Sequence, residues 1–171
     1  MLSAIHVMAN YWRGDLDELT SVGELVASAK DLESAGALRQ LERLLAAWVL
    51  DLDLPTGAAV IAVPPGPNRT SHPVPSLAAC VAETLDVDLA SGLLKRENPT
   101  PRLRDTPIKG RRDVVEAAGY SVDPAVEGRD VVLVDDVIFT GTTLGYLAEL
   151  LLAAGATSVQ AVVIARTRQT R

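Results

Sequence analysis

Apolar positions recur at helical spacing in two runs between residues 16 and 49. The two runs are separated near residues 34–36, where serine, alanine and glycine interrupt the pattern. The pattern therefore predicts two amphipathic helices, which form a helical hood over residues 1–56 ahead of a core over residues 57–171. The apolar positions are Leu19, Val22, Leu25, Val26 and Ala29 in the first run, and Leu38, Leu41, Leu44, Leu45 and Trp48 in the second.

The core begins with short and almost wholly apolar runs, which are typical of strands buried on both faces. Residues 58–63 (AAVIAV) predict such a strand, and it ends at a proline-rich turn that cannot continue it. Residues 74–85 predict a helix and residues 89–94 a weak strand. Residues 112–122 (RDVVEAAGYSV) predict a short helical turn and a short strand.

The last third of the chain carries the clearest pattern. Residues 130–134 (DVVLV) predict a strand, residues 143–154 a helix with Gly155 just past its end, and residues 158–165 another strand. Strand, helix and strand at this spacing form a βαβ crossover. We therefore expect an α/β fold in which a mainly parallel sheet is flanked by helices.

Composition and charge restrict the function. The chain has 171 residues, of which 48% are hydrophobic and 22% charged, so we expect a folded domain. It has no membrane-length apolar run and no basic segment before an apolar core, so we expect a cytoplasmic protein without a membrane partner. The single cysteine, Cys80, rules out an intrachain disulfide and disfavours a zinc site. The sequence leaves monomer and homo-oligomer open.

The net charge of −6 argues against a surface that binds nucleic acid throughout, but residues 95–112 are strongly basic and contain three prolines. Three interpretations stay open: a solvated surface loop, a lid over an anionic ligand, or a nucleic-acid contact. The basic residues are Lys95, Arg96, Arg102, Arg104, Lys109, Arg111 and Arg112, against Glu97 and Asp105.

Residues 131–144 (VVLVDDVIFTGTTL) carry the chemistry. Asp135 and Asp136 follow a strand predicted to be buried, and ligands bind at the carboxyl ends of parallel strands. Buried carboxylates are costly unless a ligand or cation compensates them. The next residues can cradle an anion, because glycine lets the backbone approach, hydroxyls donate, and a helix start offers free N–H groups. These residues are Thr140, Gly141, Thr142 and Thr143.

The carboxylates cannot favour the same phosphate as the turn, so we expect them to face sugar hydroxyls or a hydrated Mg²⁺. A ribose 5-phosphate unit meets both demands. The lysine of a P-loop and the glycines of a dinucleotide fingerprint are missing, and no aspartate follows Asp136 as a receiver domain would require. Helix capping alone would account for one threonine and not for the carboxylates.

This stretch resembles the phosphoribosyl pyrophosphate signature of type I phosphoribosyltransferases. The resemblance implies that Asp135 and Asp136 contact the ribose hydroxyls, and Mg²⁺ indirectly through substrate or water. It also implies that the Thr140 to Thr143 turn holds the 5′-phosphate. The implied reaction transfers ribose 5-phosphate from phosphoribosyl pyrophosphate to a nitrogenous acceptor, which the sequence does not specify.

The wider layout is similar to the ComF-like branch of competence-associated homologues. Lys30, Arg69, Thr100 and Arg166 stand where that branch has a lysine, two arginines and a threonine. The sequence departs from the branch at Leu103, which replaces a glutamine, at Val114, which replaces an asparagine, and at residues 70–76 (TSHPVPS). The alternative to an enzyme is therefore a catalytically silent sugar-phosphate-binding regulator, or an accessory protein of DNA uptake or nucleic-acid metabolism.

Cations must meet the pyrophosphate that leaves in such a reaction, because negative charge grows on it. The turn after the first core strand is the candidate for a fixed pyrophosphate loop, with Pro65 and Arg69. Residues 95–112 are the candidate lid, with Arg102 and Arg104 as catalytic cations and Lys109, Arg111 and Arg112 as further contacts.

Overall fold

The computed structural model describes residues 1–14, 17–65, 72–100 and 106–168. In chain order its elements are β1 (Ala4–Asn10), α1 (Ser21–Asp31), α2 (Ala35–Val49), β2 (Ala59–Ala62), α3 (Val74–Leu85), β3 (Leu94–Arg96), α4 (Arg111–Ala117), β4 (Tyr120–Val122), β5 (Asp130–Ile138), α5 (Thr142–Ala153) and β6 (Ser158–Arg166). Single 3₁₀ turns lie at Ile108–Gly110 and Pro124–Val126.

Four strands form a parallel sheet in the order β1, β6, β5, β2. The separate pair β3 and β4 is antiparallel. Each parallel connection needs a crossover, which α5 supplies between β5 and β6. The prediction of a mainly parallel sheet flanked by helices is confirmed.

Alternation along β5 divides the core between the two faces of the sheet. Val132 and Val134 pack with α1, α2 and α3 on one face, which we call the hood side. Val131 and Leu133 pack with α5 on the other face, which we call the α5 side. Both faces are covered, so the central part of β5 is wholly apolar from Val131 to Val134, as the sequence predicted.

Three details differ from the sequence prediction. Strand β1 was not predicted; it pairs with β6 at the sheet edge, so the segment before the two predicted helices joins the core sheet. Its pattern is weak because it has one neighbour and is only half-buried, and it contains His6, which bonds Gln160 at 2.8 Å. The division of the chain after residue 56 stays a prediction.

The weak strand predicted at residues 89–94 is displaced, since β3 begins at Leu94 and Leu89 forms only an isolated bridge with Val60. Strand β5 continues four residues beyond the predicted end, to Ile138. Within the part of the chain that the structure describes, no helix is both long and apolar enough to span a membrane.

Candidate functional site

Asp135 and Asp136 lie inside β5 and not after it, which corrects the predicted strand end. The neighbouring strand β2 ends first: its last residue, Ala62, pairs with Val134, and the amide of Val63 donates to the carbonyl of Val134. Asp135 still pairs with Val163 of β6. The two carboxylates therefore lie at the carboxyl edge of the sheet, in the place where β2 no longer covers them.

Asp136 belongs to the hood side and is 4% exposed. The ammonium of Lys30, at the end of α1, lies 2.5 Å from Oδ2. The contact is an ion pair whose angles do not meet those of a hydrogen bond, and Oδ2 has no hydrogen-bond partner among the described residues. Nε2 of His72 lies 4.0 Å from the same oxygen. Since Nδ1 of His72 accepts a bond from the amide of Val74 at 3.3 Å, Nε2 carries the proton of the neutral ring.

Asp135 has different surroundings. It is half-buried, and its Oδ1 accepts a 2.8 Å bond from the amide of Asp136. Burial, followed by the charge of Asp136, raises the pKa of the Asp135 carboxyl well above its ordinary value. Its charge also acts on Tyr120 of β4, whose pKa is raised first by burial. Tyr120 belongs to the α5-side core, so Asp135 lies toward that side.

The turn of Thr140 to Thr143, which we call the phosphate turn, opens α5. Gly141 has a φ of 77°, in the left-handed region that glycine adopts without strain. No side chain caps α5, so the alternative that the threonines serve as caps is not supported. The hydroxyls of Thr140 and Thr142 instead bond each other at 2.8 Å. The first-turn N–H groups are thus available to an anion, whereas Thr143 is partly buried in that first turn.

Two arginines of the basic stretch are held in place. The side chain of Arg111 is buried and reaches the phosphate turn, where Nη1 lies 3.5 Å from Oγ1 of Thr140. Arg112 bonds Glu116 at 2.6 Å and Glu149 of α5 at 2.8 Å. The assignment of both arginines to a mobile lid was wrong, because α4 holds them against the phosphate turn and α5.

The remaining predicted positions divide into two groups. Pro65 follows β2 and is partly buried. Arg96 bonds Oγ1 of Thr100 at 2.5 Å and lies 5.9 Å from the ring centre of Tyr120, which supports a structural role. Arg69, Arg102 and Arg104 lie outside the described residues.

The contact between Lys30 and Asp136 was not predicted. The sequence signal that could have found it is the lysine at the end of an amphipathic helix, in the place where the ComF-like branch also has one. Pattern alone could not pair that lysine with a strand so distant in the chain.

The carboxylates at the end of β5 do not form a complete Mg²⁺ site by themselves. In the described part of the chain, no three His, Cys, Asp or Glu side chains lie close enough together to hold a metal ion. Asp136 already pairs with Lys30 through Oδ2, and Asp135 lies toward the other side. These residues fit Mg²⁺ bound mainly by ligand phosphates and water, which is its usual mode beside one or two carboxylates.

Comparison with known proteins identifies the family. The model of the phosphoribosyl transferase domain matches residues 76–171, more than half of the chain. This chain belongs to the phosphoribosyl transferase domain family. The predicted family is therefore confirmed.

Curated relatives match shorter stretches. The DNA utilization protein YhgH of Escherichia coli O157:H7 is 42% identical over 57 residues, which is 33% of this chain and 24% of that protein. Hypoxanthine-guanine phosphoribosyltransferase of Lactococcus lactis is 60% identical over 35 residues, which is 20% of this chain and 19% of that protein. The match to each relative thus spans a quarter or less of its length.

Among solved structures, the glutamine phosphoribosylpyrophosphate amidotransferase of B. subtilis, complexed with ADP and GMP, has a TM-score of 0.53 at 25% identity. The match covers 74% of this chain and 26% of that chain. A structure of the allosteric regulatory enzyme of purine biosynthesis has a TM-score of 0.51, with the same identity and coverage.

Proposed function

We propose that this protein binds phosphoribosyl pyrophosphate and transfers its ribose 5-phosphate group to a nitrogenous acceptor. The observation that carries the proposal is the juxtaposition of two carboxylates at the uncovered end of β5 with an uncapped, threonine-lined helix start. One half of this site suits hydroxyl donors and the other suits a phosphate, which are the two ends of a ribose 5-phosphate unit.

In this proposal Asp135 and Asp136 accept hydrogen bonds from the ribose 2′- and 3′-hydroxyls. The phosphate turn holds the 5′-phosphate through backbone N–H groups and hydroxyls. Pro65 and Arg69 form the fixed pyrophosphate loop, and Arg102 and Arg104 meet the leaving pyrophosphate from the segment before α4. Positive charge beside the pyrophosphate lowers the barrier because negative charge develops there as the anomeric bond breaks.

The proposed cofactor is Mg²⁺, carried by the pyrophosphate of the substrate and approached by the carboxylate pair through hydroxyls or water. When bound, it would neutralise charge on the leaving group. The contribution of the chain is to orient the ribose, since Lys30 holds one carboxylate in position while the phosphate turn fixes the other end of the sugar.

A second function is favoured by the similarity to a protein named for DNA utilization. In that case the chain retains the sugar-phosphate site but serves as a binding regulator, or as an accessory protein of DNA uptake of the ComF type. Leu103 and Val114 stand where the ComF-like branch has glutamine and asparagine, which agrees with a site that binds without turnover.

The test begins with calorimetric titration of phosphoribosyl pyrophosphate and ribose 5-phosphate, with and without Mg²⁺. A screen for pyrophosphate release over nitrogenous bases follows. Release with one base supports the transferase, and binding without release over the whole screen supports the regulator.

The site itself is tested by the double variant Asp135→Asn with Asp136→Asn. We expect it to lose about tenfold or more in affinity for ribose 5-phosphate, because the sugar hydroxyls lose their two carboxyl partners. The matched control is Asp130→Asn, on the same strand, whose Oδ1 accepts from the hydroxyl of Ser158 at 2.6 Å at the opposite end. Equal affinity in the double variant and the control would contradict the site assignment.

A further inference from the structure

Arg111 is a buried cation that the signature motif does not include. Arg111 is 5% exposed, and among the described residues Asp136 is the one other charged residue that is buried. Guanidinium groups are rarely buried unless they are paired. The position of Arg111 therefore needs a physical explanation.

Its contacts link two segments. Nε donates to the carbonyl of Thr106 at 3.0 Å, and Nη1 donates to Oγ1 of Thr140 at 3.5 Å. The guanidinium carbon lies 4.1 Å from the ring centre of Phe139, so the group is stacked on the residue that precedes the phosphate turn. The guanidinium is thus held at the start of that turn by hydrogen bonds and by the ring of Phe139.

No carboxylate neutralises this charge within the described part of the chain. The neighbouring Arg112 has two carboxylate partners, Glu116 and Glu149, whereas the contacts of Arg111 are a carbonyl, a hydroxyl and an aromatic ring. Burying a guanidinium costs free energy that an opposite charge beside it offsets. An anion bound at the turn would remove that cost.

The backbone of the turn is prepared for the same anion. Gly141 has a φ of 77°, and a Cβ there would lie 3.5 Å from Cδ1 of Ile138, so the conformation and not crowding selects glycine. The 12-residue helix α5 begins at the next residue without a side-chain cap. The buried guanidinium and the uncapped helix start are independent features that converge on one place.

We propose that Arg111 is a phosphate-binding residue of this site, which fixes Thr140 and pairs with the dianion of a phosphate monoester seated on the phosphate turn. This inference extends the proposed function, and the identity of the phosphate ester as ribose 5-phosphate rests on that function. It also moves Arg111 from the pyrophosphate end of the ligand, where the sequence analysis put it, to the 5′ end. The consequence is selectivity for ribose 5-phosphate over unphosphorylated ribose.

The test compares Arg111→Gln with Arg112→Gln by calorimetric titration of inorganic phosphate and of ribose 5-phosphate. We expect Arg111→Gln to weaken both affinities by about tenfold to a hundredfold, the range for a charge-assisted hydrogen bond. Arg112→Gln should change them by less than about twofold, because Arg112 is exposed and its charge is already paired with two glutamates. Unchanged or equal affinities in the two variants would overturn the proposal, as would a wild-type protein that binds no phosphate.

A second variant covers the case in which Arg111→Gln does not fold. Arg111→Lys keeps the charge but loses the planar contact with Phe139 and one of the two donors, so we expect a loss of about threefold to tenfold in phosphate affinity. Affinity equal to that of the wild type would contradict the proposal. A purely structural role predicts lower thermal stability with phosphate affinity retained, so the two quantities are measured on the same samples.

The failures are distinguishable. If phosphate binding depends on Arg111 but ribose 5-phosphate binds no more tightly than phosphate, the proposed function fails and this inference stands. If ribose 5-phosphate binding depends on Asp135 and Asp136 but is unaffected by Arg111→Gln, the inference fails alone.

Discussion

At the end of β5, two adjacent aspartates face opposite sides of the sheet and have different surroundings. On the hood side, Asp136 is buried and its carboxylate pairs with the ammonium of Lys30. Toward the α5 side, Asp135 has the amide of its own neighbour as its partner, and its pKa is raised. Successive strand residues face opposite layers, so two carboxyls that are adjacent in the chain have different partners and different surroundings.

The largest expected effect on stability comes from removing the ion pair between Lys30 and Asp136 on the hood side. Lys30→Met removes the cation and leaves a buried carboxylate, so we expect the free energy of unfolding to fall by about 3–5 kcal/mol. Urea denaturation measures it. Adding Asp136→Leu should recover much of the loss, because the uncompensated charge is gone.

Lys109→Met, at an exposed lysine in the 3₁₀ turn before α4, is the control for the loss of a positive charge. If Lys30→Met lowers the free energy of unfolding by no more than this control, the ion pair with Lys30 does not stabilise the buried Asp136.

The pH dependence of stability sharpens the contrast with Asp135. Its pKa is raised to about 8, chiefly by burial and next by the charge of Asp136. The folded chain therefore keeps this proton to higher pH than the unfolded chain, whose aspartates titrate near about 3.9. The stabilisation is full below the unfolded value and is lost as pH rises through the folded value.

We expect the free energy of unfolding to fall with rising pH by up to about 1.4 kcal/mol per unit in this window, and Asp135→Asn to flatten the dependence. Urea midpoints across the window measure both slopes. Identical slopes for the variant and the wild type would show that Asp135 does not cause the pH dependence.

The smallest expected effect concerns the phosphate turn beyond Asp135. Gly141→Ala places a Cβ at positive φ, which costs about 1 kcal/mol, and we expect a matching loss of thermal stability together with weaker ribose 5-phosphate binding. Gly128→Ala is the matched control, because that glycine has a φ of 73°, lies in open space and precedes β5 at its far end. If both variants lose stability but neither loses affinity, the turn does not bind the phosphate.

Most of the fold was predictable because burial on both faces leaves a strong signal. Strands β2, β5 and β6 and helix α5 were predicted from their apolar runs, and Gly155 was correctly predicted past the end of α5. Strand β1 was missed, since an edge strand with one paired neighbour does not need a continuous apolar run.

The candidate site was predictable to the extent that it is local in the chain. The motif at residues 131–144 brings the carboxylates and the turn together within one strand, loop and helix, so backbone geometry alone fixes their proximity. Arg111 was assigned to a lid because a run of basic residues does not show which members are buried.

The sequence by itself determined the family, the parallel sheet and the short-range signature, because these depend on residue patterns within a few turns or strands of one another. The tertiary structure alone decided that Lys30 neutralises Asp136 and that Arg111 reaches Thr140 without a carboxylate partner among the described residues. The physical reason is that these contacts join segments far apart in the chain. The packing of α1 and α4 around the sheet, not local propensity, sets which charges become buried together.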